Sequence, residues 1–568
     1  MGVSRRSFLA TVAAGAAVST VGAVGTIGAL STSESAAAAP LASPVGDVVG
    51  KITVGYQGWF ACIGDGAPIN GWWHWSNNWG QAPSTSNNNI KAWPDMSEYT
   101  KGYQTAYSNT NNGQPATLFS SYDQQTVNTH FQWMAQNGCD TAALQRFNPN
   151  SSEGPTRDAM ATKVRSAAEA TGVKFYIMYD VTGWTNMANE ITVDWQNKMS
   201  ALISSPQYAR QNGKPVVCIW GFGMDDANHT WDAPTCLNVV NWFKNAGCYV
   251  IGGVAREWRS GDSGSRAGFD SVYYAFNMIS PWMVGAIGTV GDSDYYYGAD
   301  NVPDVAACQS HGIDYQPCVL PGDLSGRQRA HGDLMWRQFY NMVRAGANGI
   351  YISMFDEYGE GNQIAKTTPT QATVPSGSGL LSLDEDGTAC SSDYYLRLTN
   401  DGGKMLKGQI ALTATRPTAP NGTSGGGGGN TDLAQGAATA ESSNTQSYGS
   451  GNAVDGNTST YWESANNAFP QWLQVDLGSS KSVSRVVLDL PPSTAWGART
   501  QTFSLLGSTD GANFSTIVGS APHTFDPASG NTVTVTFSPT TTRYLRLNIT
   551  ANTGWPAGQC SEFQVFAT

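Results

Sequence analysis

Charge is what this sequence of 568 residues has least of: Asp, Glu, Lys and Arg together make up 13%, about half the ~25% usual in soluble domains. Bases are the scarcer sign, 31 Lys and Arg against 43 Asp and Glu, for a net charge of −12. No run of Lys or Arg follows the first residues. That excludes nucleic acid as a partner, because phosphate neutralisation needs a basic face; the acidic balance itself only keeps an exported protein soluble. None of the nine cysteines stands in a Cys-x-x-Cys pair or a Cys/His cluster with metal-ligand spacing, and His74 alone is no metal site. Neither a Gly-x-Ser-x-Gly elbow nor a His-Glu-x-x-His helix occurs, so serine-hydrolase and zinc-protease readings have no support. Beyond the N-terminus no apolar stretch is long enough to span a bilayer.

What is abundant is Gly (64), Tyr (23) and Trp (19). A surface of neutral polar groups and aromatic rings suits a partner that is uncharged, hydroxylated and flat-faced, as a sugar polymer is. At the N-terminus, Ser4-Arg5-Arg6-Ser7-Phe8-Leu9 precedes an apolar run to Leu30 and small residues Ala36 to Ala39. This predicts a twin-arginine signal peptide over residues 1–39, cleaved near Ala39, and a secreted protein with no stable membrane insertion afterwards. Export permits disulfides. Cys236–Cys248 and Cys308–Cys318 are the nearest pairs in sequence, whereas Cys139 and Cys218 lie in apolar runs as buried thiols.

Pro417 to Asn430 contains five successive glycines, and no core can be built there. The reading is therefore a domain over 45–415, a linker over 416–430 and a module over 431–568. In the first domain, strand-like runs at 52–56, 141–147, 174–179, 215–220, 249–254, 271–276, 315–320 and 349–355 alternate with helix-like stretches such as 157–171, 193–204, 236–246 and 332–345. Such alternation predicts an α/β fold, a (β/α)₈ TIM-type barrel. The module shows short alternating runs (472–477, 483–490, 502–507, 532–537, 544–549) without a helix, the pattern of an all-β sandwich.

Barrel active sites lie at the carboxyl ends of strands. The last strand runs into Phe355-Asp356-Glu357-Tyr358-Gly359-Glu360-Gly361. Glycoside hydrolysis uses two carboxyl groups, one protonated and one ionised, and a turn at Tyr358-Gly359 would bring Glu357 and Glu360 into one cleft. Other strand ends offer Tyr56, Trp59, Arg146, Asp180, Trp220 and Glu257 as substrate contacts, with Asp356 beside the pair. Asp180 reads equally as a helix cap, and Arg146 and Arg256 as buried ion-pair partners. Glu257 is a second catalytic carboxylate if the pair fails. Trp72, Trp73, His74 and Trp75 form either a sugar-stacking wall or loop packing.

With its Val54–Phe60 opening, the segment Ile352–Gly361 resembles the clan uniting glycoside hydrolase families 71 and 99. The first of these holds α-1,3-glucanases and the second endo-α-mannosidases. The resemblance implies that Glu360 is the general acid and Glu357 the base acting on water or on the sugar's 2-hydroxyl. Family 99 places Trp-His between its glutamates. Tyr358-Gly359 stands here instead, nearer the acidic-Tyr-Gly-Glu of family 71.

Ala453-Val454-Asp455-Gly456-Asn457, Thr460-Tyr461-Trp462-Glu463, Gln471 to Gly478, Ser508 to Gly511, Arg543 to Arg546 and Glu562-Phe563 resemble the discoidin (F5/8 type C) family and carbohydrate-binding module family 32. That resemblance implies a jelly-roll β-sandwich and a structural Ca²⁺ held by Asp455, Asn457, Thr460 and Glu562 with backbone carbonyls. Trp496 and Trp555, in loop contexts, are the sugar-binding candidates, with Trp462 and Trp472 in the core or rim. The expectation is a monomeric endo-α-glycosidase acting on polysaccharide, α-1,3-glucan before α-mannan, with no catalytic cofactor. The alternative is a non-catalytic glycan-binding or cell-wall adhesion protein.

Overall fold

Runs of apolar, β-branched and aromatic side chains with both faces covered form the strands of the first unit, as a curled parallel sheet with helices outside and its own side chains inside requires. The computed structural model describes residues 43–420, 432–493, 496–527 and 530–567; the leader at 1–39 and the glycine run of the linker lie outside them. The chain divides into two units, 1–423 and 424–568.

Eight parallel strand segments make the first unit: β1 (Ile52–Tyr56), β2 (Thr141–Arg146), β3 (Lys174–Asp180), β4 (Lys214–Trp220), β5 (Tyr249–Val254), β6 (Met278–Pro281), β7 (Asp314–Tyr315 with Cys318–Val319) and β8 (Ile350–Ile352). Each pairs with the next, and β8 pairs with β1. In β7 the first half pairs with β6 and the second with β8. The sheet therefore curls round as in a TIM-type barrel. Helices fall between the strands, among them Gln124–Gln136, Gly154–Thr171, Met187–Asn197, Ala233–Asn245, Val302–Ser310 and Asp333–Ala345, with Tyr394–Leu406 after β8. Helix Asp333–Ala345 shows why they dock: Leu334, Trp336, Phe339 and Met342 are buried on one face, and Gly346 at φ 90° ends the helix in the left-handed region.

The sequence reading needs three corrections. The run 271–276 starts as the one-turn helix Asp270–Tyr273, and β6 follows it. Its Val and Tyr carry strand propensity, but the amides of Tyr273 and Tyr274 donate back to Phe269 O (3.0 Å) and Asp270 O (2.9 Å). The helix expected at 193–204 begins at Met187 and tightens to a 3₁₀ turn at Met199–Ser204. All nine cysteines, including the two nominated pairs, are buried free thiols, and burial pushes those of Cys248 and Cys390 up to about 11.

The second unit is all-β and antiparallel, in the order Ala438–Glu441, Gln471–Asp489, Thr532–Asn552, Arg499–Ser508, Ser515–Phe525. Glu562–Ala567 pairs with the later part of Gln471–Asp489, past register shifts after Asp476 and Val483 that bend the strand. Leu473, Val475, Leu488, Phe503, Leu547 and Phe563 share its core. Each such side chain, fully buried, contributes roughly 1.5–3 kcal/mol.

Candidate active site

The acidic segment leaves β8 and folds back over the end of β1. Asp356 is completely buried, and its two oxygens accept the backbone N–H groups of Gln57 (2.9 Å) and Gly58 (2.8 Å). Burial holds its carboxyl up at about 6 even so. Asp356 thus ties the ends of the two strands together. Glu357, 4% exposed, is gripped from two sides. Its Oε2 accepts from Gln57 Nε2 (2.7 Å), and its Oε1 accepts the N–H groups of Gly359 (3.0 Å) and Glu360 (3.2 Å). Three donors on one carboxylate stabilise its negative charge. A side chain at position 359 would put its Cβ 2.9 Å from Glu357 Oε1 and 3.3 Å from Asn89 O, so the Glu357 carboxylate would have to shift to admit it. Buried Tyr358 anchors it by donating to Lys366 O (2.9 Å). Glu360 is half-buried, with its own N–H on its neighbour's carboxylate.

Beside the carboxylates, Trp59 is half-buried and stacks on His74, centroids 3.7 Å apart and planes 13° from parallel. His74 reaches it through a left-handed backbone (φ 61°), strain of the kind that gathers at functional sites. Burial, then the charge of Arg157, holds the imidazole well below its usual value; it is neutral near pH 7. Arg157 lies under this cluster, 4.8 Å from the Phe147 ring and 4.9 Å from Trp73. It donates to Gln57 O (2.6 Å) and pairs with Glu153 (2.9 Å).

Several nominated contacts are not surfaces. Trp73 and Trp75 are buried, and Trp75 packs on Phe60 (4.0 Å) and donates to Phe119 O (3.0 Å). Of the expected wall, Trp72 is buried as well and His74 alone keeps exposure, with half-buried Trp59 stacked on it. Buried Tyr56 pairs its hydroxyl with His130 Nδ1 (3.0 Å). Arg146 points away from the barrel interior to Asp194 (2.5 Å) and Asp158 (2.7 Å), a buried ion pair rather than a sugar contact. Glu257 is ion-paired with Arg256, which also holds Asp300 (2.9 Å). Asp180 accepts from the Thr182 hydroxyl (2.6 Å) and amide (3.1 Å); that hydroxyl also meets His229 Nε2 (3.1 Å). Trp220 stands edge-on to Trp282, centroids 5.5 Å apart. Gln57, Arg157 and His229 went unnominated. Their only signal in the sequence is a polar residue at or just beyond an apolar strand or within a helix.

In the second unit, Trp496 is edge-on to Tyr461 (4.7 Å), which stacks on Tyr448 (4.5 Å). Trp555 is 46% exposed and donates to Glu463 Oε1 (3.2 Å). Glu463 is held from its other oxygen by Gln559 (2.7 Å). Trp462 is buried, and Trp472 lies under the Arg546 guanidinium at 4.1 Å.

Residues 437–563 match the F5/8 type C domain family. Comparison with curated proteins gives no match. Among solved structures, the chain is similar to the GH99 endo-α-mannosidase of Bacteroides thetaiotaomicron: TM-score 0.46, 13% identity, 64% of this chain and 98% of that one. It is also similar to chitosan-binding module 1 of a chitosanase/glucanase from Paenibacillus sp. IK-5, with TM-score 0.21, 29% identity and 24% of this chain covering 100% of the module. A pectin-binding carbohydrate-binding module gives TM-score 0.21 at 23% identity, over 23% of this chain and 91% of that one.

The F5/8 type C unit has a place suited to a hard cation. Exposed Asp455 accepts from Asn457 N (2.9 Å) and Thr460 Oγ1 (2.8 Å). Burial, reinforced by the charge of Asp455, pushes the Glu562 carboxyl up to about 7, and its Oε1 is buried without a protein partner. Two crowded carboxylates with an orphaned oxygen fit the all-oxygen donor set that Ca²⁺ takes. No cluster of three His, Cys, Asp or Glu able to hold a metal occurs among the described residues, so Asn457, Thr460 and backbone carbonyls would supply the remaining ligands. No helix among them is long and apolar enough to cross a membrane.

Proposed function

We propose that the protein is a secreted glycoside hydrolase of α-linked polysaccharide, with α-1,3-glucan the first substrate and α-mannan the second. The first unit is read as a (β/α)₈ barrel of the family 71/99 type, and the F5/8 type C unit as a jelly-roll carbohydrate-binding module. One observation carries the reading: at the carboxyl end of β8, Glu357 is fixed by three N–H donors while Glu360, its immediate partner across the turn, stays half-buried. That asymmetry supports a division of roles. Glu357 is the base, drawing a proton from water or from the sugar's 2-hydroxyl. Glu360 is the acid, giving its proton to the leaving glycosidic oxygen as the bond to the anomeric carbon breaks. Trp59, on its His74 and Arg157 support, offers a ring face to the sugar. The chain acts as a monomer exported by the twin-arginine route, and Trp496 and Trp555 hold polymer at the second unit. Asp455, Asn457, Thr460 and Glu562 would hold a Ca²⁺ of structural role, whose charge would offset the repulsion between the two carboxylates.

The test is release of soluble oligosaccharides from α-1,3-glucan and α-mannan by the mature protein beside Glu357→Gln and Glu360→Gln. Release from one polymer, reduced at least about 10³-fold in both variants, is expected. Binding without release from either polymer makes the protein an adhesion factor instead.

A further inference from the structure

Gln145 has no role in the site described so far. It sits one residue before the end of β2, in register with Met178 on β3. Its neighbours fix its direction. Arg146 and its register partner Tyr179 both turn outward to Asp194. Residues alternate along a strand, so Gln145 and Met178 face the barrel interior, where the Met178 sulfur meets Tyr351 Oη (3.5 Å). Continuing the pairing of Tyr56 with Leu144 by one residue sets Gln57 beside Gln145. Both amides thus belong to the carboxyl ends of neighbouring strands, and Gln57 is the residue that grips Glu357.

Gln145 is 1% exposed, yet neither its Oε1 nor its Nε2 has a protein hydrogen-bond partner. Gln57 Oε1 is buried and unpartnered as well. A buried amide without partners destabilises the fold, typically by enough to matter to a marginally stable domain. Two of them at adjacent strand ends, one of them clamping a carboxylate, are what a ligand that completes them would account for. The free valences are an amide donor and two carbonyl acceptors, which match sugar hydroxyls.

We propose that Gln145, with Gln57 Oε1, reads a ring hydroxyl of the sugar whose bond is cleaved, and so sets substrate specificity. This rests on the glycosidase reading above. In the full-length protein, Gln145→Met, unbranched and close in size, is compared with wild type on α-1,3-glucan and α-mannan oligosaccharides, on a single-deoxy series of whichever is cleaved, and in thermal melting. The expected result is a loss of about 10- to 100-fold in kcat/KM with the melting temperature unchanged or raised. One deoxy position should cost wild type a similar factor and cost the variant nothing more. Full activity in Gln145→Met overturns the proposal. So does lost activity accompanied by a lowered melting temperature and equal sensitivity of both proteins to every deoxy position, which marks a structural role. If wild type cleaves neither polymer, the glycosidase reading falls and takes this one with it; an active wild type beside an unaffected variant removes this one alone.

Discussion

The molecule uses aromatic rings in two ways. In the first unit, Trp73 and Trp75 are buried, and Trp59 and His74 pack on Trp73 and on a buried guanidinium. In the second, Trp555 stands 46% exposed and Trp496 is braced by other rings. The first arrangement buries most of its aromatic area to hold a few atoms still, as the proposed hydrolysis needs. The second leaves area open, as the proposed adsorption to a polymer needs. Aromatic content alone does not separate the two; the support beneath each ring does.

Arg157→Met should break the first arrangement. It removes the charge below Trp73 and Phe147 and the donor to Gln57 O, and should cost about 2–4 kcal/mol, seen as a fall in the melting temperature with loss of hydrolysis. The second unit has its own weak point in Glu562. Its carboxyl, raised in the fold from 4.5 to about 7, keeps a proton that the unfolded chain has lost. Metal-free stability should therefore fall as pH rises from about 4.5 to about 7, by roughly 1–2 kcal/mol after screening at exposed Asp455. Ca²⁺ or Glu562→Gln should flatten that dependence; melting curves at pH 5 and pH 7.5, with and without chelator, measure it.

Trp555→Ala sharpens the contrast by separating adsorption from turnover. Retention on insoluble polysaccharide should weaken about tenfold, while hydrolysis of short soluble oligosaccharides stays at the wild-type rate. Smallest is Gln57→Leu. With one of three donors to Glu357 gone, the carboxylate loses part of its stabilisation and the acid limb of the pH–rate profile should move to higher pH; an unmoved limb would deny Gln57 a hold on the proposed base.

The alternation of apolar and amphipathic runs carried the parallel α/β class, because strands buried on both faces have no polar side to confuse the pattern. The strand Met278–Pro281 escaped because four residues ending in proline look like a loop, while the β-prone Val272 and Tyr273 drew attention to a helix. In the second unit, Ser515–Phe525 went unseen: most of its residues are exposed, so the alternation is weak. At the site, the acidic segment stood out by composition. Gln57, Gln145 and Arg157 did not, because glutamine and arginine beside apolar runs are ordinary. Their meaning comes from register and burial, which arise only when β1, β2 and β8 are side by side.

One segment of the barrel divides its peptide groups between two neighbours. Gln316 N–H reaches β6 through Ile279 O (2.8 Å), whereas Pro317 and Val319 carbonyls accept from Tyr351 in β8 (3.0 Å) and Ser353 just past it (2.9 Å). Side chains supply what the short ladders leave open: Asn348 Oδ1 accepts Tyr315 N–H (2.8 Å), and Gln338 clasps both polar groups of Leu320 at 3.1 and 2.9 Å. Here the ring is laced by amide side chains rather than zipped by backbone. The barrel's first breach should open along that lacing, with the Tyr315 and Leu320 amides exchanging with solvent deuterium ahead of those in β2 and β3, and sooner still in Gln338→Leu.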